Sequence, residues 1–96
     1  MDLARVEGNV VSTMKSEKLH GYKLLVVSLL KPDTTATGTN IVAVDTVGAG
    51  VGEIVLVVRG SSARQTENLE NVPADASIVG IVDAIVYLGT EVYNKE

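Results

Sequence analysis

Residues 41–59 read IVAVDTVGAGVGEIVLVVR. Two Val-rich runs, Ile41–Val47 and Glu53–Arg59, flank a loop in which Gly48, Gly50 and Gly52 fall within five residues. A glycine-rich loop that holds phosphate sits between a strand and a helix, because the helix N-terminus supplies the positive end of the dipole. Here Gly48 and Gly50 fit the first two places of a dinucleotide fingerprint, but the third falls on Glu53, which repels phosphate. The residues that follow, IVLVV, are β-branched and read as strand, and no Lys-Ser or Lys-Thr completes a phosphate loop. The stretch therefore predicts strand, turn, strand, with glycines that permit positive φ. Three glycines and an alanine exceed what one tight turn needs. Glycine also serves where another backbone comes close, so that reading stays open.

The rest of the chain agrees with a β protein. Its 96 residues carry seventeen Val, nine Leu and five Ile, against three Tyr and no Phe or Trp. Leu3–Ser12 alternates: Ala4, Val6, Gly8 and Val10 share one face, and Arg5, Glu7 and Asn9 the other. Tyr22–Leu30 reads as a strand buried on both faces, and Ser77–Leu88 as the last strand, with Gly80 marking a bend or bulge. Turn formers fill Lys31–Asn40, and Pro73 lies in a polar loop from Thr66 to Ala76. Ser61 or Ser62 can cap a short helical turn reaching Gln65. The tail Gly89–Glu96 carries no signal. Five short strands and barely a helix predict one domain over residues 1–96, an all-β, five-stranded OB-like barrel.

Composition narrows function. A net charge of −4 opposes a binder of phosphate backbones, which needs a basic face. Tyr22, Tyr87 and Tyr93 are too few for the stacking platform of an OB module that binds single strands. The absence of cysteine removes disulfides, thiolate metal sites and a thiol nucleophile, and suits a cytosolic protein. No secretory leader is visible, and no apolar run approaches the ~18 residues that span a bilayer. His20, the single histidine, sits among Lys15, Lys18 and Lys23 and reads as an exposed loop residue, so neither metal nor cofactor is expected. The carboxylates Asp45, Glu53, Asp75 and Asp83 are expected to pair with Arg59 or Arg64 rather than to do acid–base work. Asp83, inside an apolar run, requires a partner, an interface or water.

Four segments, LARVEGNVVST, LHGYKLLVVSLL, VAVDTVGAGVGEIVLVVRGSSAR and DASIVGIVDAI, resemble the EutN/CcmL family of bacterial microcompartment vertex proteins, in order and spacing, from about Leu3 to Ile85. VAVDTVGAGVGE followed by GSSAR is the most specific part. The resemblance implies a non-catalytic shell protein of the bacterial cytoplasm, assembled as a homopentamer at the fivefold vertices of a polyhedral shell whose facets are hexamers of another fold. It further implies that Gly48, Ala49, Gly50 and Gly52 lie near the fivefold axis, where large side chains would collide. Asp45, Glu53, Ser61, Ser62, Arg64 and Asp83 become subunit-contact candidates, with Arg64 reaching Glu53 or Asp45 on the same or the next chain. A ligand- or nucleic-acid-binding OB module is the alternative, and an enzyme using the carboxylates has no positive support.

Overall fold

The computed structural model describes residues 1–13, 21–60 and 75–96. These residues form seven strands: β1 (Asp2–Val10), β2 (Lys23–Leu30), β3 (Ala36–Asp45), β4 (Ile54–Arg59), β5 (Ala76–Ile81), β6 (Ala84–Tyr87) and β7 (Thr90–Asn94). The first five close on themselves in the order β1-β2-β3-β5-β4, so no barrel strand is left as an edge. All neighbours are antiparallel except β3 and β5, which meet in parallel only at Val44–Ser77 and Asp45–Ile78. The expected all-β barrel is present, and the described residues contain no α-helix. The helical turn expected over Ser61–Gln65, and His20 with its lysines at 15 and 18, lie outside the described residues.

Period-two alternation fills the barrel. Ala4 and Val6 of β1, Leu25, Val27 and Leu29 of β2, Ala43 of β3, Val55 and Val57 of β4, and Ala76 and Ile78 of β5 form one buried cluster. Fully burying each Val, Leu or Ile contributes about 1.5–3 kcal/mol. β-branched side chains suit this interior because they are stiff at χ1 and fill a pleated wall without aromatic bulk.

Three boundaries differ from the sequence reading, each for a physical reason. First, β3 starts at Ala36, so half of the segment taken as loop is strand. The turn before it is short: Lys31 N–H donates to Thr35 O (2.8 Å), Thr34 N–H to Lys31 O (2.8 Å), and Asp33 Oδ1 accepts from the Thr35 amide and hydroxyl (3.0 and 2.6 Å). Residues 36–40 are wholly exposed, so they carry no hydrophobic period to read.

Second, the run Ser77–Leu88 is two strands. Opposite Leu56 and Val57, β5 bulges beside Gly80, as a glycine there suggests. It then leaves the barrel at Val82, whose amide donates to Ile54 O (2.8 Å), because β4 begins at Ile54 and offers nothing further to pair with.

Third, the tail is ordered as β7, paired with β6. Leu88 (φ +53°) and Gly89 (φ +78°) form the two-residue turn between them, with both residues left-handed as a type I′ hairpin demands. Leucine is a rare choice there, at a cost of roughly 1–2 kcal/mol, which is why the turn escapes a sequence reading.

Candidate functional site: a glycine loop held by two carboxylates

The β3–β4 connection is built around Asp45, the last residue of β3. Its side chain is only 1% exposed. Oδ1 accepts the amides of Val47 (3.0 Å) and Gly48 (3.1 Å), and Oδ2 accepts the amide of Ala49 (2.9 Å). An ionised carboxylate facing three N–H groups gains charge-assisted bonds while its burial is compensated. Lys23 Nζ, on the neighbouring strand, stands 3.9 Å from Oδ2. Thr46 fixes the start of the loop from the other side, its Oγ1 donating to Ile78 O at 2.8 Å.

Glu53 closes the far end. Its Oε1 accepts the Gly50 amide at 2.7 Å, and its Oε2 lies 2.7 Å from Lys95 Nζ. The Glu53 amide donates to Gly50 O (3.1 Å). The loop is stitched to β1 by Gly52 N–H to Val6 O (2.8 Å), Val6 N–H to Glu53 O (2.9 Å) and an Arg5 guanidinium bond to Gly52 O (3.2 Å). The hydrogen bond from Lys95, followed by that from the Gly50 amide, holds the Glu53 carboxyl below the usual glutamate range. The same bond to Glu53, with the nearby charges of Glu53 and Asp83, pushes the Lys95 ammonium up.

The four residues expected at a crowded axis have different reasons for being small. Gly48 (φ +78°) and Gly52 (φ +92°) occupy the left-handed region, where a side chain strains the backbone. Ala49 is 1% exposed and belongs to the barrel's core cluster. Gly50 does not have positive φ, and among the described residues a Cβ there meets Glu53 Oε1, at 3.4 Å, and nothing closer. Backbone conformation therefore does not require glycine at position 50.

Arg59 departs from the expected pairings, while those with Arg64 lie outside the described residues. Arg59 binds Asp2, Nε to Oδ2 at 2.9 Å and Nη2 to Oδ1 at 3.4 Å, instead of any of the four named carboxylates. Strand register decides this, because Asp2 pairs with Val57 at the end of β4 where Arg59 emerges. Glu53 takes Lys95, from the tail that carried no sequence signal. Asp83 and Asp75 are exposed. Ser61, Ser62 and Arg64 lie outside the described residues. Among the described residues, no group of three or more His, Cys, Asp or Glu side chains is placed to hold a metal, and no helix is long and apolar enough to cross a membrane.

The polar side chains of this loop thus hold its own backbone in place, which marks a structural element on a small closed barrel. The family model described as ethanolamine utilisation protein EutN/carboxysome matches residues 1–83. GrpN of Rhodospirillum rubrum (strain F11), a bacterial microcompartment shell vertex protein, is 53% identical over 85 residues, covering 88% of this chain and 96% of its own. The solved carboxysome subunit CcmL superposes with a TM-score of 0.93 at 45% identity over the whole of both chains. The GrpN pentameric microcompartment shell protein from Rhodospirillum rubrum superposes with a TM-score of 0.80 at 50% identity, over 92% of this chain and 99% of that one. The chain belongs to the EutN/CcmL family of shell vertex proteins.

Proposed function

We propose that this chain assembles as a ring of five that caps the fivefold vertices of a bacterial microcompartment shell in the cytoplasm, seated among hexameric facet proteins and catalysing nothing. Gly50 carries the reading within the molecule. Its two glycine neighbours are explained by backbone conformation and Ala49 by the core, whereas for Gly50 neither backbone conformation nor, among the described residues, a contact closer than 3.4 Å gives a reason to lack a side chain. Close approach of copies around an axis supplies one. In this arrangement Asp45 and Glu53 act from behind the loop: they fix its backbone so that five copies meet in one shape. A closed ring uses heterologous contacts, one patch of each copy against a different patch of the next. Ser61, Ser62, Arg64 and Asp83 are proposed contributors to those contacts. The pentameric GrpN relative supports the ring, and the shell vertex relatives support its place.

Neither nucleic acid nor membrane enters this role, and the net charge of −4 speaks against the first. The test is shell assembly from the facet proteins of the same bacterium, with and without this chain, followed by electron microscopy. Closed polyhedra should require it. Polyhedra that close equally well without it contradict the vertex role.

A further inference from the structure

The glycine loop is held in two halves, and only the first is held from inside the barrel. Asp45, whose side chain is 1% exposed, fixes the amides of Val47, Gly48 and Ala49. Gly50 belongs to the second half, its amide donating to Glu53 Oε1 at 2.7 Å. Glu53 is a looser post than Asp45. Its side chain is 24% exposed and longer by a methylene, so more rotamer freedom is lost when it is kept in one pose. Among the described residues its carboxylate has one further partner, Lys95 Nζ at 2.7 Å from Oε2. A single carboxylate thus bridges the loop amide and the ammonium, one oxygen to each.

Lys95 is itself held. It follows β7, and its amide donates to Asp83 O at 2.8 Å, which closes the foot of the β6–β7 hairpin just before β6 begins. The chain entering the hairpin is pinned at the same place, where Val82 N–H donates to Ile54 O (2.8 Å), next to Glu53. The hairpin is a sheet separate from the barrel, so its foot is where its position reaches the loop.

We infer that the β6–β7 hairpin is a clamp on the glycine loop: Lys95, at its foot, positions Gly50 through Glu53 and so sets how readily copies of the chain assemble. The inference rests on the ring proposed above and adds a control over it from a residue past position 83, where the family match ends. Where loops of several copies must meet in one shape, apparent affinity falls with the fraction of chains that hold that shape. An exposed ion pair adds little to overall stability. The clamp therefore acts locally, on the Gly50 half of the loop, and leaves the barrel and the Asp45 half as they are.

The test compares Lys95→Met, which removes the charge, with Lys95→Arg, which keeps it. In amide NMR spectra the Gly50 proton lies downfield while it bonds a carboxylate. It should move upfield in Lys95→Met and return in Lys95→Arg, with the Val47, Gly48 and Ala49 amides unmoved in both. The Lys95→Met ring should dissociate at a chain concentration about two- to fivefold higher, the scale of one exposed ion pair. Glu53→Gln offers one acceptor oxygen and cannot serve both partners. Adding Lys95→Met to it should therefore change neither readout further. A Gly50 signal that ignores Lys95→Met, or that responds equally in the Glu53→Gln background, overturns the clamp. A Gly50 shift with an unchanged dissociation midpoint overturns the control of assembly and leaves the ring. A wild-type chain that is not a pentamer removes the ring and the control over it, and the Gly50 signal then decides alone whether Lys95 holds the loop.

Discussion

Replacing Asp45 should damage this protein more than its position in a loop suggests. In Asp45→Ala the amides of Val47 and Gly48 can turn to water, but the Ala49 amide is buried against the core and cannot. One buried unsatisfied N–H costs about 1–3 kcal/mol. Freeing the loop backbone and losing the charge-assisted bonds to Val47 and Gly48 bring the expected total to about 2–4 kcal/mol. Asp45→Asn keeps the shape and one acceptor oxygen but sets an N–H₂ against at least one of the three amides, for about 1–3 kcal/mol. Lys23→Ala is the control. Lys23 is mostly exposed and its contact is long, so removing it should cost less than about 1 kcal/mol. Urea unfolding at one fixed chain concentration measures all three, because dissociation of a ring makes apparent stability depend on concentration. For a domain of this size, each kcal/mol should appear as roughly 4–8 °C in Tm. An Asp45→Asn protein within about 0.5 kcal/mol of wild type would show that the carboxylate is not what holds the loop.

The loop glycines should separate by cause. Gly48→Ala and Gly52→Ala force a side chain into left-handed backbone and should lower the stability of the folded chain by about 1–2 kcal/mol each, read by urea unfolding. Gly50→Val should leave the chain folded by circular dichroism but weaken the ring on size exclusion, if the proposed ring brings other copies close to that position; among the described residues a Cβ there meets Glu53 Oε1 at 3.4 Å and nothing closer. The link between loop and tail should depend on pH. The carboxyl of Glu53 is depressed, so its contribution is complete above the ordinary glutamate range and fades as pH falls through its lowered value; Lys95 is raised, so its share persists through neutral pH and is lost only above the ordinary lysine range. Protection of the Gly50 and Lys95 amides, taken relative to their intrinsic exchange at each pH, should therefore be high near neutrality and fall as pH drops through the lowered Glu53 value, and Glu53→Gln should flatten that profile. Ile78→Ala, in the fully buried centre of β5, should cost about 2–5 kcal/mol.

The barrel was readable in the sequence because its inward positions obey a period of two in four stretches, and because IVLVV after the glycines cannot be mistaken for a helix. What escaped notice was determined at longer range. The outer half of β3 is a strand because of its partner and a tight turn at Asp33, while its own side chains all face water. The end of β5 is dictated by where β4 begins, a fact no local window contains. The tail read as featureless because its turn places Leu88 where Asn or Gly would have signalled a hairpin. At the site, the glycine cluster and the importance of Asp45 and Glu53 were visible, but their partners were not. Both carboxylates bind loop amides, a use that depends on the loop's path, and Arg59 goes to Asp2 because of register. Ala49 looked like one more small loop residue, and only packing reveals it as core.

The central claim is the ring of five, and the mass of the intact assembly tests it most directly. Native mass spectrometry, supported by light scattering across a range of micromolar concentrations, should give one dominant species at five times the 10.1 kDa chain mass. A persistent monomer or dimer, or a closed ring of six, would contradict the account.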